Sequence, residues 1–113
     1  MKFLFLFALI LPILAMGQSS IEKVKTLYES NKPEEAQKIL KTISDKSRDY
    51  ADARYYLGRI AFDKKEFDDA ADFFEEAIDK NDKVADYHNW LGNTYGTIAR
   101  DANMIKQGML IIL

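Results

Sequence analysis

A period of 34 residues constrains this chain more than any other feature. Leu57 and Gly58 return as Leu91 and Gly92, and Ala51 and Asp52 as Ala85 and Asp86, each 34 positions on. In the other direction, Ala70, Phe74 and Ala77 fall 34 positions after Ala36, Leu40 and Ile43. A fixed period in this range marks a repeat array, in which one supersecondary unit stacks on its copies. Leu57, Ile60 and Ala61 recur at helical spacing, as do Phe67, Ala70, Phe74, Ala77 and Ile78. The polar stretch Asp63 to Glu66 separates the two runs, which suits a helical hairpin. Gly58 and Ala70 are small where the antiparallel helices would cross, with Gly58 against Ala70 at the tightest point. Such a pair cannot bury its apolar face alone and needs a stacked neighbour.

Residues 51–84, with Leu57-Gly58 and then Ala70, Phe74 and Ala77 at set intervals, resemble the tetratricopeptide repeat, a helix-turn-helix unit of 34 residues. They depart from its pattern at Arg54, where a large apolar residue is usual, at Ala61, usually Tyr, and at Asp82, often Pro. The resemblance runs from residue 18 to about 100. It implies an all-α fold, a short right-handed solenoid of five or six helices in antiparallel pairs. Residues 18–50 form a degenerate first copy, residues 51–84 the second, and residues 85–113 an incomplete third with an apolar tail. Leu57, Gly58, Ala70, Phe74, Ala77, Leu91 and Gly92 are its packing residues.

In the first copy, Ser19 followed by Glu22 makes a capping box for a helix over roughly 20–30. Pro33 opens the next helix, which the apolar spacing carries to about Ser44. Val24 stands at the place of Gly58. In the third copy Met104, Gly108 and Ile111 hold the places of Ala70, Phe74 and Ala77. Two readings stay open there: an extended first helix, or a chain that is part of a longer repeat protein, which we prefer. The apolar tail lacks the polar outer face of a solenoid cap, so residues 98–113 are a candidate self-association segment.

Met1-Lys2 and the apolar run Phe3 to Leu14, then Ala15-Met16-Gly17, read as a secretory signal peptide, residues 1–17, cut before Gln18. A retained N-terminal anchor is the alternative. The expected location is across the inner membrane, periplasmic or extracellular. The formal charge of −2, with 30% charged residues of both signs, gives no pointer to nucleic acid. There is no cysteine and one histidine, His88, so neither a catalytic triad nor a zinc site is expected. No cofactor, metal or small-molecule substrate is implied, and we read the chain as a non-enzyme.

What remains is a surface. In the family the first helix of each pair lines a concave face that holds a partner's peptide segment. Carried over by position, the resemblance implies Lys25, Tyr28, Tyr55, Arg59, Phe62, Asn89 and Asn93 as partner-binding residues. Lys25, Arg59 and Asn93 lie 34 apart and are expected to form a row of donors. Some members clamp a C-terminal carboxylate there, but Ile21 and Tyr55 replace polar groups of that clamp, so tail recognition is not implied. An ordinary solvated surface is the plain alternative. The functional expectation is an extracytoplasmic protein-interaction module, a scaffold or assembly factor. Its alternative is a structural fragment of a longer repeat protein with no activity of its own.

Overall fold

The computed structural model describes residues 19–108. The expected signal peptide at 1–17 and residues 109–113 of the apolar tail, including Ile111, lie outside the described residues. Five helices follow one another: α1 (Ser20–Glu29), α2 (Pro33–Leu40), α3 (Tyr50–Asp63), α4 (Phe67–Lys80) and α5 (Ala85–Lys106). Among the described residues there is no strand. Each helix packs chiefly on its chain neighbours, with α3–α4 the closest pair, and α1–α3 and α3–α5 touch lightly. This is a stack of helix pairs, as the period implies.

The caps set the local boundaries. Ser19 Oγ accepts a hydrogen bond from the Glu22 amide at 3.2 Å, satisfying one free donor at the start of α1. Pro33 occupies the first turn of α2, where a missing N–H costs nothing. α2 ends at Leu40, short of the expected Ser44. Thr42 Oγ1 donates to the Ile39 carbonyl at 2.6 Å, and turns replace the helix through Asp49.

The two hairpin turns are copies of each other. Asn31 (φ 60°) and Lys65 (φ 63°) are both left-handed and lie one repeat apart. Lys32 N–H donates to the Leu27 carbonyl and Glu66 N–H to the Ala61 carbonyl, closing the same six-residue helix stop. The corresponding third-copy residue is Ala99, the best of helix formers and a poor left-handed residue. No stop forms, and α5 runs on for 22 residues. Met104 therefore lies within α5 and not in a second helix. Gly108, at φ 82°, ends α5 and does not fill the place of Phe74. Within the described residues the first helix of the third copy is extended, to Lys106.

The core has two parts, and α3 feeds both. Val24, Ala36, Leu40, Ala53, Leu57 and Ile60 join the first copy to the second. Ala51, Tyr55, Ala61, Ala70, Phe74, Ala77 and Tyr87 join the second to the third. The tightest approach differs from the sequence expectation in its partner. A Cβ on Gly58 would lie 2.6 Å from Cε1 of Phe74, whose side chain is fully buried, so the Phe74 ring and not Ala70 requires the glycine. Gly92, expected to pack likewise, is exposed and has open space around it, since among the described residues no second helix crosses α5 there. Leu91 is half-buried against the second cluster.

The two glycines thus predict opposite outcomes for one substitution. Gly58→Ala drives a methyl into an enclosed ring and is expected to cost roughly 1–3 kcal/mol. Gly92→Ala removes a helix-weakening glycine at no steric cost and is expected to gain about 0.5–1 kcal/mol. Thermal unfolding of both variants checks this; equal shifts would contradict the packing described.

Candidate partner-binding surface

The first helices α1, α3 and α5 meet through long side chains rather than close backbones. Two hydrogen bonds bolt them together. Tyr28 Oη donates to Asp63 Oδ2 at 2.6 Å, tying α1 to the end of α3. Tyr87 Oη donates to Asp52 Oδ1, tying α5 to the start of α3. Both span 35 residues, one more than the period. Aromatic rings continue the contact: Tyr28 lies 6.0 Å from Tyr56, and Tyr55 lies 5.1 Å from Tyr87, centroid to centroid.

Arg59 stands at the centre of this surface. Its guanidinium carbon lies 4.0 Å from the Trp90 ring centroid, 5.2 Å from Tyr28 and 5.6 Å from Tyr55. Nη1 donates to Tyr55 Oη at 2.8 Å. Each aromatic comes from a different first helix, so one cation touches all three copies. Such contacts contribute roughly 0.5–2 kcal/mol each, more where water is excluded. Among the described residues no carboxylate lies within salt-bridge distance of Arg59; the ion pair present is Arg54–Glu76, at 3.5 Å. Nε of Arg59 is enclosed and has no hydrogen-bond partner among them either. Aromatic faces and the Tyr55 hydroxyl, rather than an ion pair, position the guanidinium.

The other predicted positions divide. Phe62 is half-buried between Phe67 and Trp90, at 5.1 and 5.3 Å. Lys25, Asn89 and Asn93 are exposed. Tyr55, expected on the open face, is 8% exposed and belongs to the core, with its hydroxyl turned to Arg59. The expected row of three donors is not what the chain builds, since Arg59 folds sideways onto Trp90. Trp90 and the Tyr87–Asp52 bond were missed by position matching. The available signals were the single tryptophan and the 35-residue Tyr–Asp separation.

The bolts shift their phenols. Burial first, and then the bond to Asp63, pushes the Tyr28 hydroxyl up to about 12. Burial and then the bond to Asp52 push Tyr87 higher still above its ordinary value. Beside the turn, Tyr28, Asp63, Glu29, Asn31, Pro33 and Glu34 line part of a cleft of about 540 Å³.

Stacked antiparallel helix pairs with a surface built from their first helices define a helical repeat protein of the partner-binding kind. The family model of the tetratricopeptide repeat matches residues 21–85, and the chain belongs to that family. Superkiller complex protein 3 of Mus musculus is 37% identical over 73 residues, covering 65% of this chain. The chain spans 5% of the length of that relative. No solved structure matches the present chain. Tetratricopeptide repeats are in general modules for protein–protein interaction, on a fold that typically serves as a non-catalytic scaffold.

The phenol shifts give a signed pH dependence. A phenol with a raised folded-state pKa holds its proton better when folded, so its contribution is whole below about pH 10 and falls away toward pH 12. Denaturant unfolding is expected to show stability falling through that window, and less steeply in Tyr28→Phe. An unchanged slope in that variant would contradict the bolt.

Proposed function

We propose that this chain is an extracytoplasmic scaffold or assembly factor that holds a partner protein's segment across α1, α3 and α5. One observation carries the reading: Arg59 is fixed among aromatics of three helices with no carboxylate of its own. A buried or half-buried cation without a counter-charge is costly, and an incoming carboxylate offsets that cost. Arg59 is therefore the anchor, accepting an Asp, Glu or terminal carboxylate. Asn89 and Asn93, exposed on α5 on either side of Trp90 in sequence, are hydrogen-bond donors and acceptors open to the partner's backbone. Trp90 and Tyr28 supply flat apolar area flanking the charge, the residue types that dominate binding energy at interfaces. The cell-envelope location rests on the leader-like start, with Lys2, the apolar run to Leu14 and the small residues Ala15 and Gly17.

The test is selection of a displayed random peptide library against the protein and against Arg59→Gln. Enrichment of acidic peptides that bind at least about tenfold more weakly to Arg59→Gln, a change of 1.4 kcal/mol, is the expected result. Enrichment indifferent to acidic groups, or unaffected by the substitution, would contradict it. Intact mass of protein from an envelope fraction tests location separately: loss of Met1 to Gly17 is expected.

A further inference from the structure

The cleft of about 540 Å³ lies where α1 ends, α2 begins and α3 ends, with Tyr28, Pro33 and Ile60 as its apolar part. Among the described residues, its charged lining is three carboxylates, Glu29, Glu34 and Asp63, and one ammonium, Lys64. Lys64 Nζ donates to Gln37 Oε1 at 3.3 Å, on α2. Glu29 is the last residue of α1 and Asp63 the last of α3, 34 positions apart. A helix ends at its negative pole and favours a cation there. α2, α4 and α5 follow that rule with Lys38, Lys80 and Lys106, whereas α1 and α3 carry no base in their last turns. Two carboxylates on two negative helix ends, with a third from the start of α2, leave the cleft short of positive charge.

We propose, resting on Arg59 as the carboxylate's anchor, that this cleft takes a lysine or arginine of the same partner segment, two residues from the acidic one. Its aliphatic stem lies along Tyr28 and Pro33, and its charged head meets Glu29, Glu34 and Asp63. Tyr28 is the wall between the two sites. Its ring lies 5.2 Å from the Arg59 guanidinium carbon, and its hydroxyl donates to Asp63 at 2.6 Å. The spacing follows from α3, because Arg59 and Asp63 stand four residues apart, about 6 Å of helix rise. In an extended chain, side chains on one face recur every two residues, at about 7 Å. A partner helix matches the distance at four residues, but its backbone groups are already paired. Exposed Asn89 and Asn93 suit a segment whose amides and carbonyls are free, which selects the extended form. The partner segment is therefore an acid, any residue and a base, in either order. The three carboxylates are exposed, so the cleft's share of the binding weakens with salt.

The experiment is displayed-peptide selection against the native chain, Arg59→Gln, and the double variant Glu29→Gln with Glu34→Gln. Both glutamates are exposed, and Asp63 is kept because it holds Tyr28; circular dichroism checks that the variants keep their helix content. Peptides selected on the native chain are expected to carry Lys or Arg two residues from the acidic one. The double variant is expected to lose that preference and keep the acidic one. Enriched peptides, synthesised without aromatic residues, are then titrated by the fluorescence of Trp90, the sole tryptophan, which lies against Arg59. Replacing the peptide's base with norleucine is expected to raise Kd at least about threefold at low salt on the native chain, and less than about 1.5-fold on the double variant. Acidic peptides without a basic preference, or a basic preference that the double variant keeps, overturn the cleft's role and leave Arg59 as the anchor. Bases enriched three or four residues from the acid overturn the extended segment. Enrichment without acidic residues, or no enrichment, overturns the anchor and the cleft together.

Discussion

The approach of Gly58 to the Phe74 ring is the constraint on which the stack depends. A bulky aromatic lies fully buried at the crossing of α3 and α4, and only a residue without a side chain leaves room for it. This crossing lets the two 14-residue helices run side by side, so that α3 offers one flank to each neighbouring copy. The same pair of places is filled differently in the other copies. In the first, Val24 and Leu40 share one core cluster, a larger residue matched to a smaller partner. Volume is conserved across the crossing although both identities change, which is the kind of exchange cores tolerate best. In the third, Gly92 and Gly108 stand at those places, and among the described residues nothing crosses there.

Between copies the cohesion is of another kind. First helices are spaced by side chains and joined by phenol–carboxylate bonds and by Arg59 among aromatics. Such junctions are specific in direction but modest in buried area, so the array is a sum of nearest-neighbour interfaces rather than one core. The same spacing leaves a surface with a cation at its centre. In the function proposed above, the residues that tie the copies together are also the residues a partner would meet.

The period made the fold legible, because Leu57, Gly58, Ala70, Phe74 and Ala77 act through local packing that sequence position alone specifies. Helix starts were legible for the same reason, as Ser19 and Pro33 act on their own backbone. The run-on of α5 was less so, since Ala99, a strong helix former, stands where Asn31 and Lys65 take the left-handed stop. The surface was legible only in part. Tyr55 and Arg59 lie four apart on one helix, yet one is core and the other is not. Which way Arg59 folds depends on Trp90, 31 residues away on another helix, and position within the repeat carries no information about that choice.

The account's central claim is that Gly58 is required by the Phe74 ring, and a double-mutant cycle tests it most directly. Unfolding free energies of the native chain, Gly58→Ala, Phe74→Leu and the double variant supply the four corners. With the smaller Leu of the first copy's crossing in place of the ring, the added methyl has room. Gly58→Ala is then expected to cost nothing or to stabilise slightly in the Phe74→Leu background, giving a coupling of about 1–3 kcal/mol. Equal costs of Gly58→Ala in both backgrounds, within about 0.5 kcal/mol, would contradict the account.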